Sequence, residues 1–237
     1  MDACEDFIIP APYPLLKEDR AAINEASPND PDGDDWAKPC LDVFKKRIRK
    51  YLLKKQKYRC AYCRMELHDN EATPEIEHIV PKNLKPKWMY EPFNLCVSCK
   101  LCNTKKGHTK PVLVDDTLDV LPTNSEAYKL IHPHLDKYSD DIEIVDGILY
   151  KGIREKGAHT IWLCELDRYE LAAARASIIL KHDLGSYTRF LMLVQDTENK
   201  KLLNNLDGFI ESIKDKMELY KEKNATEAEA GSELTRI

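Results

Sequence analysis

Two CxxC pairs in one basic segment constrain this chain more than any other feature. "CAYC" occupies residues 60–63 and "CKLC" residues 99–102. Each pair places two thiolates about one metal, so Cys60, Cys63, Cys99 and Cys102 fit a tetrahedral structural zinc site. The metal would replace the core that a unit of roughly fifty residues struggles to build alone. The ordinary alternative is four unrelated buried cysteines, which two knuckles in one basic segment argue against. Spacing alone leaves the second knuckle open, because Cys96-Val97-Ser98-Cys99 is also a CxxC. A disulfide framework is not expected from the eight cysteines. The start, "MDACEDFIIPAPYPLL", is acidic and broken by three prolines, and no run approaches membrane-spanning length. These features predict a cytoplasmic chain whose thiols stay reduced, with no membrane partner.

The 237 residues suffice for one large domain or two small ones. A net charge of −5 is the wrong sign for holding nucleic acid by bulk electrostatics, but it hides a segregation. Residues 45–64 hold ten Lys or Arg and no acid, and residues 82–110 add seven lysines against Glu91. Residues 114–146 then carry nine acids against Lys129 and Lys137.

Composition divides the chain into four stretches. Residues 1–34, rich in Pro, Asp and Asn, read as a loosely ordered arm. Residues 35–110 hold a basic helix followed by the cysteine core. That helix is predicted from a cap at Asp34 or Asp35 to about Tyr58, with Leu41, Phe44, Ile48, Tyr51 and Leu52 on its apolar face. Two short strands around "HDNEATP" are expected over 58–80, and a short helix over 99–106 stopped by Gly107. Residues 111–223 read as a mainly helical region with a hairpin at Asp146-Gly147 and a helix after Asp167. Residues 224–237 have little to bury and read as a disordered tail.

Between the knuckles lies "PEIEHIVP", residues 74–81, with an acid directly against a histidine. On a strand the two side chains point to opposite faces. At a strand end, a carboxylate can face a hard divalent cation while the imidazole faces the same cavity as a base. His68, His132, His134, His159 and His182 have no such local partner and read as ordinary histidines.

Taken together, "CAYC…IEHIVPKN…FNLCVSCKLCNTKKG" resembles the HNH endonuclease motif in its zinc-knuckle variety. The resemblance covers residues 60–107 and puts Asn103 directly after Cys102, which selects Cys99 and Cys102 for the second knuckle. It implies an α+β fold with a ββα-metal core stapled by zinc, in which two strands and one helix clasp one catalytic Mg²⁺ or Mn²⁺. It implies further that His78 is the general base, Glu77 and Asn103 the magnesium ligands, and Asn94 the asparagine holding the loop around the base. Many members have Asp where this chain has Glu77. His108, just past the helix, is either a further ligand or a solvated loop histidine.

Beside such a motif, Lys45, Lys46 and Arg47 are candidates for contacting a phosphate backbone, and Lys105 and Lys106 for gripping phosphate near the cut. Trp88 and Tyr90 are candidates for stacking on a base or for packing. "GAHTIWLCELDRYELAAAR" resembles a segment found in HNH proteins partnered with ATPases in anti-phage systems of the Septu and retron kind. The expected function is therefore phosphodiester hydrolysis of nucleic acid, DNA favoured, as the nuclease subunit of a defence complex with an ATPase. The alternatives are a stand-alone restriction or homing-type HNH endonuclease and a non-catalytic zinc-knuckle binding module.

Overall fold

A computed structural model of the chain describes residues 7–68, 74–145 and 147–180. These fall into two compact units, one of residues 7–144 and 150–166, the other of residues 145, 147–149 and 167–180.

The first unit opens with structure in the stretch expected to be a loose arm. Helix α1 (Lys17–Ala26) forms there because Asp19, which is buried, organises its start. The Asp19 carboxylate accepts from Leu16 N at 3.0 Å, from Tyr13 Oη at 2.8 Å and from Arg47 Nη1 at 2.9 Å. Phe7, Ile9 and Tyr13 are buried beside it in sequence.

Helix α2 (Asp42–Lys55) buries Phe44, Ile48 and Leu52 of the predicted stripe, with Leu53 added, while Tyr51 is half-buried and the buried Leu41 lies in the turn before the helix. It begins later than Asp34 or Asp35, after two 3-10 turns, Gly33–Ala37 and Pro39–Leu41. Pro39 is the reason, since it disfavours α backbone at the preceding residue, and Lys38 sits at φ −64°, ψ 135°. The helix stops at Lys55, and Lys57 and Tyr58 turn the chain with φ 53° and 55°.

Strand β1 (Pro74–His78) pairs antiparallel with β2 (Leu95–Cys99), with Glu77 opposite Cys96 and His78 opposite Leu95. The expected pairing within 58–80 is thus replaced by a longer-range one. Around the first knuckle only an isolated bridge, Arg59 with Glu66, remains. Gln56 makes the difference, because its buried amide claims β2. Its Nε2 donates to Val97 O at 2.7 Å and Arg59 O at 2.9 Å, and its Oε1 accepts from Val97 N at 2.7 Å. Helix α3 (Lys100–Lys106) follows β2 directly and ends at Gly107, whose φ of 61° permits the stop.

Residues 111–137 are largely irregular, tied by a bridge between Leu113 and Tyr128. Then come α4 (Tyr138–Asp141), a hairpin of β3 (Ile142–Val145) and β4 (Leu149–Gly152), and α5 (Glu155–Cys164). Gly147 at φ 74° serves the hairpin turn expected there. Gly157 of α5 lies so close to the Asp141 carbonyl that any side chain would collide with it.

In the second unit, α6 (Tyr169–Leu180) buries Leu171, Ala172, Ala173 and Ala176. Arg175 Nη1 donates to Gly147 O at 3.2 Å. The helical pattern expected over 186–222 and the tail at 224–237 lie outside the described residues. Among the described residues no helix is long and apolar enough to cross a membrane.

Candidate metal centre and active-site cavity

Four cysteines converge at the base of the β1–β2–α3 unit. The sulfurs of Cys60, Cys63, Cys99 and Cys102 all lie within 4.8 Å of one another, with Cys63 Sγ and Cys99 Sγ 3.9 Å apart. A zinc ion bound tetrahedrally at about 2.3 Å needs sulfurs about 3.8 Å apart, so the cluster fits that metal. Backbone amides already serve the sulfurs, with Cys99 N donating to Cys60 Sγ at 3.3 Å and Cys102 N to Cys99 Sγ at 3.4 Å. Hydrogen bonds from the other three thiols, Cys102 first, hold the Cys99 thiol well below its ordinary range. Cys96 takes no part; it is buried, with Tyr62 Oη 3.9 Å from its sulfur. Tyrosines brace the first knuckle from outside, Tyr138 Oη donating to Tyr62 O at 2.7 Å and Tyr150 Oη donating to Cys63 O.

Beside this cluster, β1 and α3 meet in a polar ladder. Alternation along the strand puts Glu75 and Glu77 on one face, and a three-residue step puts Asn103 and Lys106 on one face of the helix. Asn103 Nδ2 donates to Glu75 Oε2 at 2.7 Å, and Lys106 Nζ lies 2.6 Å from Glu77 Oε1. Lys106 also donates to His78 O at 2.9 Å. The second rung is dry, with side-chain exposures of 1% for Lys106 and 6% for Glu77. Burial pushes the Glu77 carboxyl up and the Lys106 charge opposes it, the balance remaining above the usual carboxylate range.

His78, at the end of β1, is buried with Nε2 3.2 Å from Met89 O. A carbonyl can only accept, so Nε2 carries the proton and Nδ1 keeps its lone pair. The Trp36 ring meets the imidazole edge-on, centroids 4.6 Å apart. Burial, then the charges of Lys106 and Lys82, pull His78 down to about 3 against the bond to Met89 O. The imidazole is therefore neutral at physiological pH. Asn94 holds the loop over it: fully buried, it accepts from Val80 N at 2.8 Å and donates to Val80 O at 3.0 Å and Trp88 O at 3.2 Å.

Glu75, Glu77, His78 and Asn103 line one cavity of about 830 Å³, together with Trp36, His108 and the basic residues Lys45, Lys46, Arg49 and Lys82. Asn94 is not among its lining residues, so its part is to position the loop. Asn103 uses its nitrogen on Glu75 and keeps Oδ1 as a hard oxygen donor beside the two carboxylates, a donor type that suits magnesium or manganese. Lys45 is partly engaged by Asp42 at 2.9 Å and by Trp36 O at 3.2 Å.

Three expected phosphate contacts are placed elsewhere. Arg47 turns away to the buried Asp19, and Lys105 pairs with Glu165 at 2.9 Å. Lys106 lines the cavity but is buried, its ammonium spent on Glu77 and on His78 O, because the helix stripe that carries Asn103 to the cavity carries Lys106 inward as well. Trp88 and Tyr90 are packed, Trp88 Nε1 donating to Asp119 O at 3.2 Å and Tyr90 Oη lying 2.8 Å from Ser27 Oγ.

Sequence reasoning missed Glu75, Arg49, Lys82 and Trp36. Strand alternation from Glu77 would have found Glu75, and the three-residue step from Lys46 would have found Arg49. Nothing local marks Lys82 or Trp36, which the fold brings in.

The described residues define a mixed α/β fold with two small sheets and a Cys4 cluster compatible with zinc. No family model matches it. Over 177 residues the chain is 27% identical to the Septu protein PtuB of Bacillus thuringiensis, an alignment covering 75% of this chain. The chain spans 59% of the length of that curated relative. The similarity supports a relation to Septu proteins.

Proposed function

We propose that this chain is a metal-dependent HNH endonuclease that hydrolyses phosphodiester bonds of nucleic acid, DNA favoured, as the effector nuclease of a cytoplasmic anti-phage complex with an ATPase. The observation that carries the reading is a single cavity lined by Glu77, His78 and Asn103, edged by basic side chains and set beside a Cys4 cluster. The likeness to a Septu protein supports the defence setting.

In this reading His78 Nδ1 takes a proton from the attacking water, while the bond from Nε2 to Met89 O fixes the tautomer. The low pKa of His78 suits an empty cavity. A phosphodiester brings negative charge against Lys106 and Lys82 and raises the base toward its working range. A divalent cation held by Glu77 and Asn103 would neutralise charge on the scissile phosphate and stabilise the departing oxygen. Lys45, Lys46, Arg49 and Lys82 meet the backbone without reading bases. On a chain of net charge −5, grip on nucleic acid beyond this basic wall comes in part from the partner, which docks on residues 111–223.

Plasmid DNA and a structured RNA, incubated with Mg²⁺ or Mn²⁺ and the zinc-loaded protein, without a partner and then with a neighbouring ATPase if the genome encodes one, test the proposal. Wild type should cut at least one substrate and His78→Ala should not, with zinc content and melting temperature retained. Tight binding without cutting under every condition would sink the nuclease reading in favour of a binding module.

A further inference from the structure

We propose that Lys106 is an internal counter-ion of the metal site, a positioning residue that occupies the Glu77 carboxylate and withdraws before a divalent cation is held there. The inference rests on the reading of Glu77 as a metal ligand.

Lys106 Nζ sits 2.6 Å from Glu77 Oε1, with the Lys106 side chain 1% exposed. A second bond, 2.9 Å to His78 O, ties the same ammonium to the backbone of the base. Magnesium binds oxygen at about 2.0–2.1 Å. An ion on Glu77 Oε1 would thus be confined within about 4.7 Å of Nζ, the sum of the two lengths. Two cations that close in a dry site repel strongly, so the ammonium and the metal compete for one carboxylate.

The position of Lys106 allows the exchange. It is the last residue of α3, and Gly107 follows at φ 61°. Its side chain can leave toward the cavity it already lines without disturbing Cys102 or Asn103 one turn earlier. Without metal, Lys106 keeps a buried carboxylate paired and the end of β1 ordered, since a buried charge stripped of its partner is strongly destabilising. The protein is thereby held folded and poorly loaded at the same time. A partner or substrate that draws the ammonium toward phosphate would favour loading.

The test uses the full zinc-loaded chain and Mn²⁺ itself, with binding followed by electron paramagnetic resonance. Lys106→Met should bind Mn²⁺ on the order of tenfold more tightly than wild type, and adding Glu77→Gln should abolish the gain. Folded Lys106→Met that binds Mn²⁺ no better than wild type would overturn the counter-ion, even while His78-dependent cleavage by wild type upholds the nuclease. Absence of both Mn²⁺ binding and cleavage in every variant would instead remove the nuclease reading, and this inference with it. Because Lys106→Met can fail to fold, a second measurement needs no variant. Reductive methylation of wild type, mapped by peptide mass spectrometry, should label Lys106 several-fold faster in excess Mn²⁺ than in its absence. Equal labelling with and without Mn²⁺ would overturn the proposal.

Discussion

The two polar centres of the first unit share α3, which gives Cys102 to one and Asn103 and Lys106 to the other, yet differ in how their ligands stand. At the Cys4 cluster the four sulfurs lie within 4.8 Å of one another, and backbone amides donate to those of Cys60 and Cys99. At the β1–α3 ladder each carboxylate already has a protein partner, Glu75 with Asn103 and Glu77 with Lys106. The first arrangement suits a metal that stays for the life of the fold. In the proposed function the second would hold one that comes and goes, with Lys106 as the substitute charge. Closed and pre-gathered ligands make a structural site, whereas ligands that must change partners make a conditional one.

Four experiments test that contrast. The largest effect is expected at the cluster. Cys60→Ser should lose zinc and the cooperative melting transition together, because zinc binding and folding are one process in such units; a stable variant with full zinc content, by metal analysis and calorimetry, would end the staple argument. His78→Ala comes next in the proposed activity, with a loss of about 10²- to 10⁴-fold in cleavage rate and an unchanged melting temperature. If that variant instead melted like Cys60→Ser, the two centres would not be separable.

Asn94→Ala should cost about 2–3 kcal/mol by denaturant titration, because it strands the buried Val80 amide and carbonyl. Zinc content should stay intact, and zinc loss would show that the loop and the cluster share one fate. The smallest effect is a control outside both centres. Hydrogen bonds from Tyr13, Leu16 and Arg47 outweigh desolvation and hold Asp19 below the ordinary carboxylate range. A depressed folded-state pKa contributes stability that is present above the unfolded value, about 3.9, and lost as pH falls through it toward the folded value. Asp19→Asn should therefore flatten the acid limb of the stability curve below about pH 4 without changing zinc release; an unaltered acid limb would contradict the role given to Asp19.

Much of the candidate site was legible because its chemistry is local. CxxC spacing names the first knuckle, the resemblance through Asn103 directly after Cys102 selects the second, and the Glu-His step offers an acid and a base at a strand end. The stripe on α2 and the stop at Gly107 were equally local, one read from periodicity and the other from glycine's access to positive φ. The start of α2 misled because Pro39 interrupts a pattern that capping residues make attractive. The pairing of β1 misled because hydrophobic alternation carries no partner information, and a buried Gln56 chose β2 from outside the segment.

Residue type and short spacing are enough to mark candidate metal ligands, a candidate base and the helix faces, because metal preference, proton affinity and periodicity are local properties. Tertiary structure alone decided which charges are spent inside. Lysines 45, 46, 105 and 106 are the same residue in a sequence. The fold turns Lys45 and Lys46 to the cavity, pairs Lys105 with Glu165, and buries Lys106 against Glu77. Whether an ammonium meets water, a phosphate or a carboxylate depends on what lies across from it, and only long-range packing brings that neighbour into place.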